Sequence, residues 1–152
     1  MAMKNLPTSD VTVRRLKKED AADVKRIYEA ITKRSEKLDI QWIVEDRAEK
    51  TLDASFVAEF DGNVVGYMIS YMASGNFGVD RCAWISMFGV EPKFMGQGIG
   101  RRLAGEIFRY YKEKDVTDVF TSVRWDYTDI VSFFKTLGFQ KSEYLHLHKV
   151  LQ

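Results

Sequence analysis

Val90-Glu91-Pro92-Lys93-Phe94-Met95-Gly96-Gln97-Gly98-Ile99-Gly100-Arg101-Arg102-Leu103 is the stretch on which the reading of this 152-residue chain turns. Three of its ten glycines fall here, at every second position from Gly96 to Gly100. Before them, Cys82 to Val90 is almost wholly apolar, as expected of a central strand covered on both faces. After them, Ile99, Leu103, Ile107 and Tyr111 recur at helical spacing, widened by Ala104 and Phe108, and predict a helix from Ile99 to about Lys114. A glycine loop between a strand and a helix N-terminus is physically an anion site. Successive backbone N–H groups can point at one ligand, no side chain blocks its approach, and the helix dipole and the guanidiniums of Arg101 and Arg102 add positive potential. The same glycines would also suit a tight strand-to-helix turn.

Two common phosphate loops do not fit. No Lys-Ser/Thr follows the last glycine, so the stretch is not a Walker A loop. The spacing is Gly-x-Gly-x-Gly past mid-chain, behind a hairpin, and not the Gly-x-Gly-x-x-Gly that follows the first strand of a dinucleotide-binding βαβ unit.

Outward from the loop, the chain alternates strands and helices. Residues 1–10 are polar, contain Pro7, and read as a flexible lead-in to a single domain over 11–152. Val11–Leu16 alternates like a strand, and an amphipathic helix opens at Asp20 with Val24, Ile27, Tyr28 and Ile31 on one stripe. A second helix is predicted over Ile40–Leu52, after a charged break from Lys33 to Asp39. Ser55–Phe60 and Val64–Met72 are strands joined by Asp61-Gly62-Asn63, a strong hairpin signal. Ala73–Asp80 reads as a loop. Beyond the central helix, Val116–Val123 is a strand, and Asp126 or Thr128 can cap a helix carrying Ile130, Phe133, Phe134 and Leu137. Gly138 is placed to end that helix in a left-handed conformation, and Glu143–Leu151 reads as a last strand. The order is an α+β (α/β mixed sheet) arrangement with helices on the sheet.

Composition narrows the partners. Lys and Arg total 23 against 22 Asp and Glu, leaving a net charge of +1 with no basic block, which argues against nucleic acid or a membrane as the main partner. Cys82 is the one cysteine and only His146 and His148 supplement it, so no metal is expected. The first ten residues lack the apolar run of a signal peptide, and no window resembles a membrane span. These features predict a cytoplasmic protein.

The quoted stretch resembles the acetyl-CoA loop of the GNAT N-acetyltransferases, Val-x-Pro-x-x-(Arg/Gln)-Gly-x-Gly-(Ile/Leu/Val)-Gly-x-x-Leu. Phe133-Phe134-Lys135-Thr136-Leu137-Gly138-Phe139 is similar to that family's closing segment, and the strand and helix order agrees over nearly the whole chain. The resemblance implies a GNAT-like acyl-CoA acyltransferase fold, with a central mixed, splayed sheet flanked by about four helices. It implies an N-acetyltransferase in which a primary amine, of a small molecule or a protein, attacks acetyl-CoA directly in a ternary complex. It further implies that the backbone of Phe88 and Val90 pairs with the pantetheine arm. The N–H groups from Met95 through Gly96, Gln97, Gly98, Ile99 and Gly100 to Arg101 would hold the pyrophosphate. Phe133 and Phe134 would flank the cofactor, and the N–H of Phe88 would meet the oxyanion. The segment from Ala30 to Leu52 would wall the acceptor side, making Tyr28 and Trp42 substrate contacts.

Two departures bear on chemistry. Met95 stands where the family carries Arg or Gln, and Phe134 stands where many members carry a Tyr that protonates the leaving thiolate. A phenyl ring has no proton to give. Asp126 and Tyr127 at the head of the last helix are the candidate catalytic side chains, with helix capping the competing reading of Asp126. The other reading of the chain is a non-catalytic CoA-binding sensor or interaction module. Ser86, the one hydroxyl of the central strand, and Cys82 read as packing residues, and Trp42, Trp84 and Trp125 as core or pocket walls. Glu59 and Asp80 could face an acceptor cleft. His146 and His148 share one strand face by period two. Apolar edge strands are compatible with a homodimer.

Overall fold

The computed structural model describes residues 10–32, 38–50, 53–76 and 78–152. Five strands form one sheet in chain order: β1 (Val11–Arg15), β2 (Phe56–Phe60), β3 (Asn63–Asn76), β4 (Val79–Val90) and β5 (Val119–Thr121). The first four pair antiparallel and β5 runs parallel to β4, so the sheet is mixed. The described residues also form four helices: α1 (Ala21–Ile31), α2 (Ile40–Glu49), α3 (Ile99–Glu113) and α4 (Thr128–Thr136). The chain divides into two compact units, one ending at Ser122 and one from Val123 to Gln152.

In the first unit the sheet is covered on both faces, which explains why β4 is so apolar. A Cβ on Gly66 would meet Ile99 Cγ2 at 3.0 Å and Leu103 Cδ1 at 3.5 Å, so α3 lies on the face to which Gly66 points. One on Gly89 would meet Ile31 Cδ1 at 2.8 Å, so α1 lies on the other. There Val24, Ile27, Ile40 and Val44 pack with Val57, Tyr67 and Ile69. Helices α1 and α3 each present their predicted apolar stripe inward, and burial of these side chains at roughly 25 cal/mol per Å² is the main force holding the layers together.

Local polar contacts set the helix starts. Asp20 precedes α1, yet its carboxylate does not cap it. It accepts from the N–H of Lys17 at 2.8 Å and from the Arg14 guanidinium at 2.9 and 2.8 Å, tying β1 to the helix. Asp39 does cap α2, accepting from the N–H of Trp42 at 3.0 Å. The Asp61-Gly62 turn takes two left-handed residues, φ 51° and 78°, as a tight hairpin requires.

The structure corrects several expectations. Ala73–Asp80 is not a loop. β3 and β4 pair out to Asn76↔Val79, because Gly78 at φ 88° lets the chain reverse there. The strand predicted over Val116–Val123 is only Val119–Thr121. Helix α2 ends at Glu49, and residues 51–52 lie outside the described residues, as do residues 1–9 and 33–37. Trp42 and Trp125 are exposed, not core, at 62% and 88%. Trp84 stacks on Phe120 with centroids 5.2 Å apart.

In the second unit, α4 begins at Thr128. Asp126 does not cap it, because both its carboxylate oxygens are held by Arg124, at 3.0 and 2.8 Å. Gly138 is left-handed at φ 93°, and the N–H of Phe139 closes back on Phe134 O at 3.1 Å, which terminates the helix as predicted. The last strand expected over Glu143–Leu151 does not form: this segment has no regular structure, and its residues are exposed. Its alternating pattern suits a strand, but the segment is not among the paired strands.

Candidate functional site

The site begins with an irregularity in β4. Ile69 pairs with Met87 and Ser70 with Ile85, so Ser86 is one residue too many and bulges out of the ladder. Its hydroxyl donates to Ile69 O at 3.3 Å. On the other edge, the β5 ladder covers only Ala83, Trp84 and Ile85. The N–H of Ala83 donates to Asp118 O and the hydroxyl of Thr121 to Ile85 O, each at 2.9 Å, and there the pairing stops. Beyond it, β4 runs five residues further, Ser86–Val90, without β5 beside it.

The direction of the backbone in that extension follows from one hydrogen bond. The N–H of Glu91 donates to Val65 O at 2.8 Å, toward β3. In an antiparallel ladder the backbone groups alternate sides, so Met87 and Gly89 also address β3. Phe88 and Val90 address the opposite edge, into the splay.

Pro92 then opens a short 3-10 turn, Pro92–Phe94, whose Phe94 is buried 5.4 Å from the ring of Phe60. This anchor delivers the chain to Met95 and two left-handed glycines, Gly96 at φ 79° and Gly98 at φ 80°. A Cβ at either would meet nothing within 4 Å. The glycines are therefore required by backbone conformation, and the space over them is open to a ligand. Gly98 is the N-cap of α3, and the N–H of Arg102 makes the first helical bond, to Gly98 O at 3.1 Å. The preceding N–H groups of Ile99, Gly100 and Arg101 belong to the orphan donors of the first turn. Arg102 is not part of this anion-attracting end: its guanidinium donates to Val11 O at 2.7 Å and fastens α3 to β1. Arg101 is exposed and Met95 half-exposed.

Glu91, at the end of β4, faces Arg26 at 3.4 Å and Lys93 at 3.5 Å. Glu59 is held by Arg14 at 2.6 Å. The hydrogen bond to Asp20, and to a lesser extent the one to Glu59, raises the guanidinium's affinity for its proton against the cost of its partial burial. Asp80 is exposed. Cys82 is fully buried. Tyr28 packs on the core of α1 and α2, against which Tyr67 is also buried. Burial, with Tyr28 as a smaller contribution, pushes the Tyr67 hydroxyl well above the ordinary tyrosine range. No three His, Cys, Asp or Glu side chains cluster to hold a metal among the described residues.

In the second unit, Arg124 also lies 5.2 Å from the centroid of the Tyr127 ring. Phe134 is buried, 5% exposed, with its ring edge-on to Phe133 at 5.2 Å and to Phe139 at 5.1 Å. The first unit thus brings Phe88, Val90 and the 95–101 loop into one continuous path, and the second holds Asp126, Tyr127, Phe133 and Phe134. The bulge at Ser86 is a feature sequence reasoning missed, and nothing in the composition of an apolar strand signals it.

The sequence model of the acetyltransferase (GNAT) family matches residues 21–139, and the chain belongs to that family. Its fold is shared by an aminoglycoside acetyltransferase, meta-AAC0020, from an uncultured soil metagenomic sample, with TM-score 0.77 and 21% identity over 95% of this chain and 98% of the other. It is likewise shared by AAC(6')-Iy in complex with a bisubstrate analogue, CoA-S-monomethyl-acetylneamine, with TM-score 0.79 and 16% identity over 93% and 99% of the two chains. A mycothiol acetyltransferase of Amycolatopsis mediterranei (strain U-32) is 29% identical over 102 residues, 65% of this chain. The chain spans about a third, 34%, of that relative's length. No helix among the described residues is long and apolar enough to cross a membrane.

Proposed function

We propose that this protein is a cytoplasmic acetyl-CoA-dependent N-acetyltransferase, acting through residues 11–152 as one domain, that acetylates a primary amine of a small molecule or protein in a ternary complex. The observation that carries this reading is the splay. β4 turns the backbone of Phe88 and Val90 to an edge where β5 has ended, and leads directly into the open glycine loop at the head of α3. That path suits a ligand with an extended amide-bearing arm and an anionic end, which is the form of CoA. Family membership supports the same reading, as do relatives named for aminoglycoside and mycothiol acetylation.

Acetyl-CoA supplies an activated thioester when bound. In this reading Phe88 and Val90 pair with the pantetheine amides as an added strand would. The N–H groups from Met95 to Arg101 hold the pyrophosphate, assisted by the α3 dipole. The N–H of Phe88 donates to the oxyanion that develops on the acyl carbonyl. Phe133 and Phe134 border the cofactor. The amine needs a proton acceptor, and Asp126, or water held by it, is assigned that part, with Tyr127 as the donor to the departing thiolate. Holding two substrates together supplies much of the rate. The exposed apolar C-terminal segment supports a homodimer.

Phe134 favours a second reading, a CoA-binding module without turnover, because its buried ring offers no proton. Calorimetric titration with CoA tests the site that both readings share. Wild type should bind, and Gly98→Asn should bind at least about tenfold more weakly, since asparagine tolerates the left-handed backbone but fills the approach to it. Equal affinity in the two proteins, with unchanged circular dichroism, would remove the loop from the site. Binding of acetyl-CoA with no thiol release from any amine would decide for the second reading.

A further inference from the structure

The face of the sheet away from α3 carries a row of rings. Ser70 turns its hydroxyl to Tyr111 of α3, so its neighbour Tyr71 points the other way, and there the guanidinium of Arg47, on α2, lies 4.6 Å from the centre of its ring. Trp84 is the cross-strand partner of Tyr71, and Phe120 is the partner of Trp84, so the three side chains share that face across β3, β4 and β5. The rings of Trp84 and Phe120 stack with centroids 5.2 Å apart and planes 28° from parallel. The row spans two strand spacings, about 10 Å. Tyr67 and Ile69, further along the same face of β3, are fully buried with the core of α1 and α2, whereas Tyr71, Trp84 and Phe120 are half-buried.

Position gives the row its meaning. Trp84 is the middle residue of the stretch of β4 that β5 accompanies, and the splay opens two residues later, at Ser86. With CoA laid as proposed above, its pyrophosphate at the glycine loop and its arm along Val90 and Phe88, the acyl group comes last, toward the closed end of the splay. The row borders that end on the face opposite α3. Trp84 stands four residues from Phe88, about 13 Å at full extension. We propose that Tyr71, Trp84 and Phe120 form the acceptor subsite of this chain and select an arylalkylamine, a primary amine joined to an aromatic ring by a short alkyl arm; the inference rests on the acetyl-transfer reading above.

Aromatic rings favour offset-stacked and edge-on partners, so a flat ring on the ligand extends the stack that Trp84 and Phe120 begin. An ammonium on the arm is drawn to the ring faces as it enters. It gives its proton to water or a base, and the neutral nitrogen forms the C–N bond as the C–S bond breaks and CoA leaves as the thiolate. The rings contribute binding and orientation to that step and no chemistry. Arg47 steadies the floor. Its Nη1 donates to Asp53 Oδ2 at 3.2 Å, and the other carboxylate oxygen of Asp53 accepts from the N–H of Met72 at 2.9 Å. Both oxygens of Asp53 are thus engaged, and the row presents rings and a guanidinium. A polycationic sugar amine, which is recognised through carboxylates, gains little from such a floor, and an arylalkylamine gains its full width.

Initial rates of CoA thiol release with phenethylamine, n-butylamine and sisomicin as acceptors test the proposal. Wild type should favour phenethylamine over each of the others by at least about tenfold in kcat/KM. Trp84→Leu keeps an apolar side chain and removes the ring. Its preference for phenethylamine over n-butylamine should fall to about threefold or less, through a higher KM for phenethylamine, while its affinity for CoA by calorimetry stays within about twofold of wild type. Trp84→Phe restores a ring and should recover most of the preference, a difference that a purely structural role for Trp84 would not produce. A wild type that prefers n-butylamine or sisomicin would overturn the proposal, as would a Trp84→Leu protein that retains the wild-type preference. Calorimetric titration of phenethylamine into the CoA-loaded chain separates this inference from the reading beneath it. Binding that Trp84→Leu weakens at least about fivefold, with no thiol release from any amine, would support the subsite and overturn acetyl transfer. Thiol release from other amines, with no binding of phenethylamine, would overturn the subsite alone.

Discussion

The hydroxyl of Tyr111, on α3, lies 2.8 Å from the hydroxyl of Ser70, on β3. Ser70 donates to Ala54 O, and the Tyr111 oxygen accepts from the Ala54 N–H at 3.1 Å, so two hydroxyls and both backbone groups of Ala54 share one buried knot. Ser70 is also the first residue past the β3–β4 irregularity, opposite Ile85. The knot therefore pins α3 to the sheet beside the bulge that splays β4. Tyr111→Phe removes the hydroxyl and strands the Ala54 N–H, at a cost of about 1–3 kcal/mol. Urea denaturation should show that loss, with the m-value unchanged; a neutral substitution would mean that the knot is dispensable.

Gly89 touches the opposite layer. A Cβ there would stand 2.8 Å from both Ile31 Cδ1 and Tyr67 Cε1, and the tyrosine ring is fully buried. Gly89→Ala should destabilise by about 1–3 kcal/mol through overpacking. Because Gly89 lies between Phe88 and Val90, the Michaelis constant for acetyl-CoA should rise with little change in the constant for the amine. An equal rise in both would detach this strand from the cofactor.

Alkaline stability follows from the two buried tyrosines. Desolvation raises the pKa of Tyr67 and of Tyr111, the latter against opposing hydrogen bonds from Ser70 and Ala54. The folded state thus holds these protons more tightly than the unfolded chain, where tyrosine titrates near ~10. Their contribution is complete below that pH and is lost as pH climbs toward the folded values. Thermal melts should fall steeply above pH ~10 in wild type and less steeply in Tyr67→Phe. Identical slopes would contradict the assignment.

Met95 is half-exposed beside the glycines. If backbone donors carry the pyrophosphate, Met95→Ala should leave CoA affinity almost unchanged. Met95→Arg should improve it about threefold to tenfold, a charge-assisted bond discounted for solvent. A large loss with Ala and no gain with Arg would make Met95 a packing residue that shapes the loop.

Proton transfer separates the candidate side chains of the second unit. Tyr127→Phe should lower kcat by about 10²-fold if its hydroxyl serves the leaving thiolate. Phe134→Tyr should reduce stability, because the ring sits buried between Phe133 and Phe139, and should alter kcat little. A brisk enzyme indifferent to Tyr127→Phe would turn the search for a proton donor toward β4.

Much of this was legible in the residues. The Asp61-Gly62 hairpin, the glycine loop into α3 and the left-handed Gly138 are local signals, fixed by backbone conformations that few residues adopt. The apolar stripes of α1 and α3 likewise report one face each. What failed depends on neighbours. The extra residue at Ser86 arises from how β3 and β4 align, and an unbroken apolar run carries no mark of it. Asp20 and Asp126 looked alike as helix-opening acids, and guanidiniums of Arg14 and Arg124 claimed them. The segment after Glu143 has the alternation of a strand, but a strand needs a partner as well as a pattern.

Release of free CoA thiol from acetyl-CoA, followed across a panel of primary amines, tests the central claim most directly. The account predicts amine-dependent release by wild type, saturable in both substrates, and loss of at least about tenfold in kcat/KM for acetyl-CoA in Gly98→Asn. Release that is absent with every amine, or that persists undiminished in Gly98→Asn, would contradict it.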